Sequence, residues 1–209
     1  MRIARHGLTF ILPALLLGLL FLAAGWRPPG VLFLILSGAL VFFFRDPERV
    51  PPAGDGRLVS PADGRVLAVE TRPARPGLDA PVTRITIFLS LLDVHVTRAP
   101  VSGTVEGVDY RAGKFLPAYR PEAGEHNESC ALDIRGGPVA VHLRQIVGVA
   151  ARRIKCYVKP SDRIVRGQRI GLMCFGSRVE LDLPPGVEPK VRPNEKVRAA
   201  ESVIAEVTT

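Results

Sequence analysis

Two apolar runs near the start of the chain constrain its fold most strongly. As a helix, Leu8–Ala24 would span about 26 Å, slightly less than a hydrocarbon core of about 30 Å. Val31–Phe44 would reach about 21 Å. Between them, Trp26–Gly30 contains two consecutive prolines, which predict a break. We therefore predict that residues 1–44 form a membrane-associated helical hairpin, which either spans the bilayer with tilt or enters it and returns.

The charges that flank these runs predict an orientation. Two arginines precede the first run and two follow the second: Arg2, Arg5, Arg45 and Arg49. Because basic residues favour the cytoplasmic side, they place both ends of the hairpin there, although Arg27 in the turn counts against this. An alternative is a cleaved signal peptide, with Ala23 and Ala24 near the cleavage point. The second apolar run favours the hairpin.

Composition indicates the kind of partner and the compartment. Lys and Arg number 28 against 20 Asp and Glu, and the net charge of +8 predicts attraction to an anionic partner. No aromatic–basic motif of a nucleic-acid-binding module is present, so the apolar runs favour an anionic membrane over nucleic acid. Cys130, Cys156 and Cys174 lack C-x-x-C spacing, which predicts reduced, buried thiols in a cytoplasmic domain.

Residues 45–209 contain short β-branched runs broken by Gly, Pro and Asp. Val59–Val69 and Val96–Val108 each predict two strands joined by a tight turn. Asp162–Gly171 resembles Glu195–Ala205, and both look like hairpins of lipoyl- and biotinyl-type domains. The predicted fold is mostly β, a lipoyl/biotinyl-like β-sandwich or barrel that follows the N-terminal apolar helical hairpin. Further strands are expected at Val82–Leu91, Ala131–Ile134, Val139–Ile146 and Ile154–Val158.

The pair Gly176-Ser177 precedes the alternating run Val179–Leu183, so it lies near a strand junction. One interpretation is an ordinary loop dipeptide. The other is self-processing, in which the Ser177 hydroxyl attacks the Gly176 carbonyl carbon and converts the amide into an ester. Elimination to dehydroalanine and hydrolysis then leave a pyruvoyl group on the new N-terminus. Such a ketone can act as a built-in cofactor.

Four other residues are candidates for a site. His95 follows Asp93 by two residues, so an extended chain would place both side chains on one face, and an imidazole suits proton transfer near neutrality. Asp63 lies at a turn, where aspartate often serves local hydrogen bonding. Arg98 and Arg178 could hold a carboxylate or phosphate, although arginine is more often solvated. No metal is assigned to the remaining histidines, His6, His126 and His142.

Six segments together resemble the phosphatidylserine decarboxylase proenzymes in their short form. Phe175–Leu181, with Pro184, resembles the processing site of that family. The other segments occur in the family's order, and the resemblance covers roughly residues 42–205. They are Phe44–Arg49, Ser60–Gly64, Asp93–Val96 with Arg98–Gly103, Gly113–Phe115, and Gln145–Gly148 with Ala151–Ile154.

The resemblance implies a cofactor and roles for several residues. It implies autocatalytic cleavage at Gly176-Ser177, which yields a large chain of residues 1–176 and a small chain of residues 177–209 that remain together as a heterodimer. Ser177 would become a pyruvoyl group that forms a Schiff base with the substrate amine. His95 would take part in decarboxylation, and Asp63 would belong to the processing machinery.

Two departures from the family pattern affect these roles. Longer bacterial members carry a second histidine where Arg98 stands, so the resemblance does not identify the group that activates Ser177. Short-form members usually continue Asn-Glu with Arg-Asn, whereas Asn127-Glu128 is followed by Ser129-Cys130. An anion contact made by that arginine must come from elsewhere or be absent.

The implied function is a pyruvoyl-dependent decarboxylase that converts phosphatidylserine to phosphatidylethanolamine and CO2. Its expected partner is phosphatidylserine in an anionic membrane, with the catalytic domain on the cytoplasmic face of the cell membrane; a higher oligomer is left open. One alternative is the same reaction on archaetidylserine. Another is a membrane-anchored lipoyl-like adaptor without activity, but a lipoyl carrier needs a lysine at a hairpin tip, and the tips here read Asp-Gly and Ser-Gly.

Overall fold

The computed structural model describes residues 2–74, 80–137, 139–149, 154–174 and 176–208. Phe175, in the predicted processing segment, and Ala151–Arg153, in another motif, lie outside the described residues. The chain divides into two units, Met1–Glu48 and Arg49–Thr209.

The first unit is a helical hairpin closed by a pair of short strands. Its two long helices pack against each other, and the Ser37 hydroxyl donates to the carbonyl oxygen of Ile11 at 3.4 Å. The two strands pair in antiparallel fashion and bring the ends of the unit together. The elements are β1 (Arg2–Ile3), a 3-10 helix (Arg5–Gly7), α1 (Leu8–Ala23), α2 (Arg27–Phe43) and β2 (Arg45–Asp46).

The second helix begins earlier than its apolar run. The prolines were expected to interrupt the chain, but α2 starts at Arg27, and Pro28 and Pro29 occupy its first turn. The N–H groups in the first turn of a helix have no partner within the helix, so proline loses no hydrogen bond there, and its fixed φ suits the start of a helix. The break is therefore limited to residues 24–26, and the predicted apolar hairpin is confirmed.

One segment of the first unit meets the requirements for a membrane span. Among the described residues, Arg5–Ala23 is long and apolar enough to cross a bilayer, whereas α2 is shorter. By length and composition alone, this helix is consistent with membrane association.

The second unit is built from antiparallel sheets, which confirms the predicted mostly-β fold. Its elements are β3 (Arg57–Val59), β4 (Gly64–Arg72), β5 (Val82–Leu89), β6 (Val96–Arg98), β7 (Gly103–Arg111), α3 (Ala123–His126), β8 (Ser129–Gly136), β9 (Val139–Val147), β10 (Ile154–Cys156), β11 (Arg163–Ile164), β12 (Arg169–Met173), β13 (Ser177–Leu183), β14 (Val187–Pro189), β15 (Lys196–Val197) and β16 (Val203–Val207). An eight-stranded sheet in the order β11-β7-β8-β9-β13-β5-β4-β15 curls into a half-barrel. The smaller sheets are β10-β12-β6 and β14-β16-β3.

Strand β13 lies at the centre of the large sheet, between β9 and β5, and all of its residues are buried. Val179 and Leu181 contribute to the hydrophobic core on one face. Because side chains alternate along a strand, Arg178 and Glu180 lie on the other face. The segment that carries α3 covers that face, where Arg144 donates to the carbonyl oxygen of Gly124 at 2.5 Å. An alternating strand is thus buried on both sides.

The covered polar face holds a cluster of ion pairs. The Glu180 carboxylate is 1% exposed and accepts from Arg84 at 3.0 Å, from Arg144 at 3.1 Å, and from Arg178. The hydrogen bond to Asp182 raises the pKa of Arg84, whereas burial lowers the pKa of Arg144. Because loss of one partner would leave buried charges uncompensated, we assign this cluster a structural role.

The three cysteines are free thiols, and Cys130 and Cys174 are buried as predicted, whereas Cys156 is partly exposed. The hydrogen bond between the thiols of Cys130 and Cys156 raises the pKa of Cys130 and lowers that of Cys156.

Candidate active site

The predicted reactive serine lies at one end of the large sheet. Ser177 is the first residue of β13 and pairs with Leu89 of β5 and Val147 of β9. Its side chain is completely buried, and among the described residues its Oγ has no hydrogen-bond partner. A buried hydroxyl without a partner has lost its bonds to water without replacement, which is unfavourable and requires an explanation such as a catalytic role.

The carbonyl beside this hydroxyl depends on two glycines. Gly176 has φ +69°, in the left-handed region, although a Cβ there would meet no atom within 4 Å. The backbone angle, and not space, therefore favours glycine at this position. At Gly148 the constraint is space, because a Cβ would lie 2.2 Å from the carbonyl oxygen of Gly176 and 3.3 Å from the Cβ of Ala118.

His95 contacts the residue that carries this carbonyl. Its Nδ1 lies 2.9 Å from the carbonyl oxygen of Asp93, and its Nε2 lies 3.3 Å from the backbone nitrogen of Gly176. A carbonyl only accepts, so these partners assign the proton to Nδ1 and leave a lone pair on Nε2 that accepts from the Gly176 N–H. The imidazole is completely buried, and its Nε2 contacts the residue that carries the carbonyl of the predicted scissile bond.

The carboxylate of Asp93 does not orient His95 as an extended chain would predict. It accepts from the N–H of Ser90 at 2.8 Å and from the Ser90 hydroxyl at 2.6 Å. The reason is a turn at residues 91–93, which removes the alternation expected of a strand and directs the carboxylate back to the end of β5.

Asp63 immediately precedes β4, at the same end of the sheet as Ser177. Because β5 separates β4 from β13, the two strands lie about 10 Å apart. The Asp63 carboxylate accepts from Arg49 at 2.7 Å and from the N–H of Ala199 at 2.8 Å. These two bonds do not reach Ser177 or His95, so a role for Asp63 in processing stays a prediction.

The two candidate anion-binding arginines are held within the protein. Arg98 is 3% exposed and donates to the carbonyl oxygen of Gly167 at 3.0 Å. Arg178 is paired with Glu180 and donates to the carbonyl oxygen of Arg120 at 3.0 Å. These contacts explain the burial of both guanidinium groups, and substrate binding by either one stays a prediction.

Two buried polar residues that were not predicted as site residues, Thr97 and Gln145, also lie in this region. Gln145 pairs with Val179 across β9 and β13, so its side chain and that of Ser177 lie on the same face as diagonal neighbours. The Thr97 hydroxyl donates to Oε1 of Gln145 at 3.3 Å. Gln145 Nε2 has no hydrogen-bond partner among the residues that the structure describes. Thr97 and Gln145 are completely buried.

Metal ligands were not expected, and the described ranges contain no group of three or more His, Cys, Asp or Glu side chains that could hold a metal ion. His142 pairs with Asp133 at 2.8 Å, and His126 ends α3.

Gly148→Ala tests the close approach to the Gly176 carbonyl. The new methyl group would overlap a backbone oxygen that cannot rotate away, so we expect the Gly176 carbonyl to shift and the predicted self-cleavage to slow at least about tenfold. Gel electrophoresis of freshly synthesised chain over time measures the rate. Gly107→Ala is the control, because its Cβ would meet the Asp133 side chain at 3.3 Å and no backbone. Equal rates in the two variants would contradict the proposed constraint.

Comparisons with known proteins give one consistent result. The sequence model of the family described as phosphatidylserine decarboxylase matches residues 36–205. The chain is 45% identical over 205 residues to a phosphatidylserine decarboxylase proenzyme of Saccharopolyspora erythraea, covering 96% of this chain and 86% of that protein. Proenzymes with the same name from Cereibacter sphaeroides and Desulfotalea psychrophila are 44% and 36% identical, covering 91% and 98% of this chain and 83% and 96% of those proteins.

Proposed function

The chain belongs to the phosphatidylserine decarboxylase family, and we propose on that premise that it cuts itself at Gly176-Ser177 and then decarboxylates phosphatidylserine to phosphatidylethanolamine. A pyruvoyl group at residue 177 would supply an electron-withdrawing carbonyl that binds the substrate amine and accepts the electron pair left by departing CO2. This cofactor would be generated from the protein's own serine.

The observation that carries the proposal is the state of Ser177. Its Oγ is buried and without a partner among the described residues, and it follows a glycine with left-handed backbone geometry. A loop serine would be expected to reach water or a local acceptor, and this one does neither. The first position of a central strand, between Leu89 and Val147, would hold a group at residue 177 rigidly.

His95 is the residue we assign to proton transfer. Its Nε2 carries the lone pair and meets the N–H of Gly176, whereas Ser177 Oγ has no partner among the described residues. This arrangement favours a role for His95 at the substrate over direct activation of the Ser177 hydroxyl. The Nε2 lone pair could first take a proton from the substrate ammonium as the amine condenses at residue 177, and the resulting imidazolium could then deliver that proton to the carbon that loses CO2.

Exposed apolar side chains at the same end of the sheet support a lipid substrate. Leu91 and Leu92 are 55% and 72% exposed and follow Leu89, the partner of Ser177 in β5. Val149 is 56% exposed and follows Val147, the partner in β9. Apolar residues beside a polar site suit a substrate with a charged headgroup and acyl chains.

We place the enzyme at the cell membrane, with the second unit on the cytoplasmic face. The apolar span Arg5–Ala23 and the basic residues at both ends of the hairpin support this location. Deletion of residues 1–48 should move the protein from the membrane to the soluble fraction without preventing self-cleavage, because the predicted processing residues lie beyond residue 48. Ultracentrifugation and immunoblotting measure the distribution. A truncated chain that still sediments fully with membranes would contradict the hairpin as the anchor.

Intact mass under denaturing conditions, combined with a lipid assay, tests the proposed function. We expect two chains, residues 1–176 and 177–209, with the smaller one blocked to Edman degradation and reactive toward carbonyl reagents. The same sample should release CO2 from phosphatidylserine labelled in the serine carboxylate. A single unmodified chain with full decarboxylase activity would refute the pyruvoyl mechanism.

A further inference from the structure

The structure points to a role for Gln145 in the chemistry of Ser177. Along β9, Val139, Val141 and Leu143 belong to the hydrophobic core, and Gln145 follows them in the same phase of the strand. A glutamine in a core position is unfavourable for folding unless its amide has partners or a function. The amide of Gln145 is only half satisfied among the described residues.

The hydrogen bond to Oε1 of Gln145 fixes the orientation of the side-chain amide, and therefore the direction of Nε2. Thr97 donates its hydroxyl to Oε1 at 3.3 Å, and Gly171 leaves space there, since a Cβ would lie 2.6 Å from Oε1 and 2.9 Å from the Thr97 hydroxyl oxygen. With the oxygen directed to Thr97, the donor Nε2 finds no acceptor among the described residues. Thr97 and His95 are two residues apart and completely buried.

Ser177 supplies the complementary group. Its Oγ is an oxygen without a hydrogen-bond partner among the described residues. Ser177 lies on the same face of the adjacent strand as Gln145, two residues along β13 from Val179, which pairs directly with Gln145. Diagonal neighbours across antiparallel strands lie within reach of a long side chain. The described part of this buried region therefore contains an unused N–H donor and an unused oxygen acceptor on diagonal positions of neighbouring strands.

We propose, on the basis of the proposed self-cleavage, that Gln145 is a catalytic residue of processing, whose Nε2–H donates to Oγ of Ser177 as negative charge develops on that oxygen, and that Thr97 positions the amide.

Cleavage needs two covalent steps, and the donor would act in the second of them. In the first, Oγ bonds to the carbonyl carbon of Gly176, the bond from that carbon to the nitrogen of Ser177 breaks, and the hydroxyl proton passes to the released amine. In the second, the α-proton of residue 177 leaves to a base, the Cβ–Oγ bond breaks, and Oγ departs as part of the Gly176 carboxylate. Water then replaces the amine of the dehydroalanine, releasing ammonia and leaving the ketone. In the first step negative charge passes from Oγ to the carbonyl oxygen of Gly176, whereas in the second Oγ gains negative charge as the Cβ–Oγ bond breaks. A preorganised donor at Oγ therefore accelerates the second step.

Gln145→Met is the test variant, because methionine has a similar length but no N–H. The full chain is made by cell-free synthesis and sampled over time on gels, with hydroxylamine added to part of each sample to cleave any accumulated ester. Self-cleavage should slow by about 10²-fold. The melting temperature should equal or exceed that of the Ser177→Ala precursor, because an unsatisfied buried amide has been removed. Gln168→Met is the control, since Gln168 accepts from the N–H of Val165 away from Ser177.

A Gln145→Met precursor that cleaves at the rate of Gln168→Met would overturn the proposal, as would slow cleavage accompanied by a lower melting temperature. If the Gln145→Met variant does not fold, Thr97→Val and Thr97→Ser test the proposal instead. Serine keeps the hydroxyl that positions Oε1, whereas valine removes it. Slow cleavage with valine that serine restores supports the proposal, and equal rates refute it. If the wild-type chain itself shows no cleavage at residues 176 and 177, the proposed function fails, which is a distinguishable result.

Discussion

Ser177→Ala is expected to leave one uncleaved chain of 209 residues without decarboxylase activity. The substitution removes the only atom that can attack the Gly176 carbonyl from within residue 177, so neither the ester nor the ketone can form. The fold should survive, because the hydroxyl makes no hydrogen bond to any described residue. Removing an unpartnered buried oxygen should leave the melting temperature equal to or above that of the wild-type precursor. Gels and mass spectrometry measure cleavage, CO2 release measures turnover, and thermal melting followed by circular dichroism measures stability.

Ser202→Ala is the matched control in the predicted small chain. The Ser202 hydroxyl accepts from the N–H of Arg198 at 2.9 Å and is located in a turn, so its loss should affect neither cleavage nor turnover. Ser177→Cys should retain slow cleavage, because a thiol can also attack a carbonyl. Decarboxylation by Ser177→Ala at any rate close to wild type would exclude a cofactor made from this residue.

His95→Ala is expected to give both chains while turnover falls by a factor on the order of 10² or more. The imidazole meets the N–H of Gly176 and has no hydrogen bond to Ser177 Oγ, so its loss should affect the recurring proton transfer more than the single processing event. Cleavage on gels and labelled CO2 release from the same samples separate the two effects. His126→Ala is the control, since that histidine is exposed.

Two results would change the assignment of His95. Accumulation of the 209-residue precursor would show that the imidazole mainly activates Ser177. Normal cleavage together with normal turnover would remove His95 from the site. Asp63→Ala completes the set, and we expect it to impair processing, because the carboxylate fixes the start of β4 through Arg49 and the N–H of Ala199.

Local sequence patterns predicted much of the fold because they follow local physical rules. Short β-branched runs marked β4, β5 and β9, the alternating run marked β13, and the apolar runs marked the hairpin, since these patterns reflect burial of one face or one segment. The start of α2 was misplaced because proline breaks a helix interior but suits its first turn. The charged residues in β13 did not indicate that both faces of this strand are covered, because the segment that carries α3 lies more than fifty residues away in sequence.

The candidate site was predictable residue by residue but not as an arrangement. Motifs selected Ser177, His95 and Asp63 as candidates, yet they could not show that Asp93 turns toward Ser90 or that Arg49 holds Asp63. Those contacts depend on turns and on strands that are distant in sequence. Gln145 did carry a local signal, a polar residue in the apolar phase of a strand, which becomes informative once its neighbour across the sheet is known.

The position of Ser177 at the start of a central strand affects how the processed enzyme can fold. A cut before Ser177 would assign β13, β14, β15 and β16 to the small chain. Three of these strands pair with strands of the large chain: β13 with β5 and β9, β15 with β4, and β16 with β3. Assembly of the precursor is unimolecular, whereas recovery of the cut protein after denaturation requires two separate chains to meet and interleave. Refolding of a protein cut there would therefore depend on protein concentration, and its thermal inactivation would be governed by the rate at which the sheet opens.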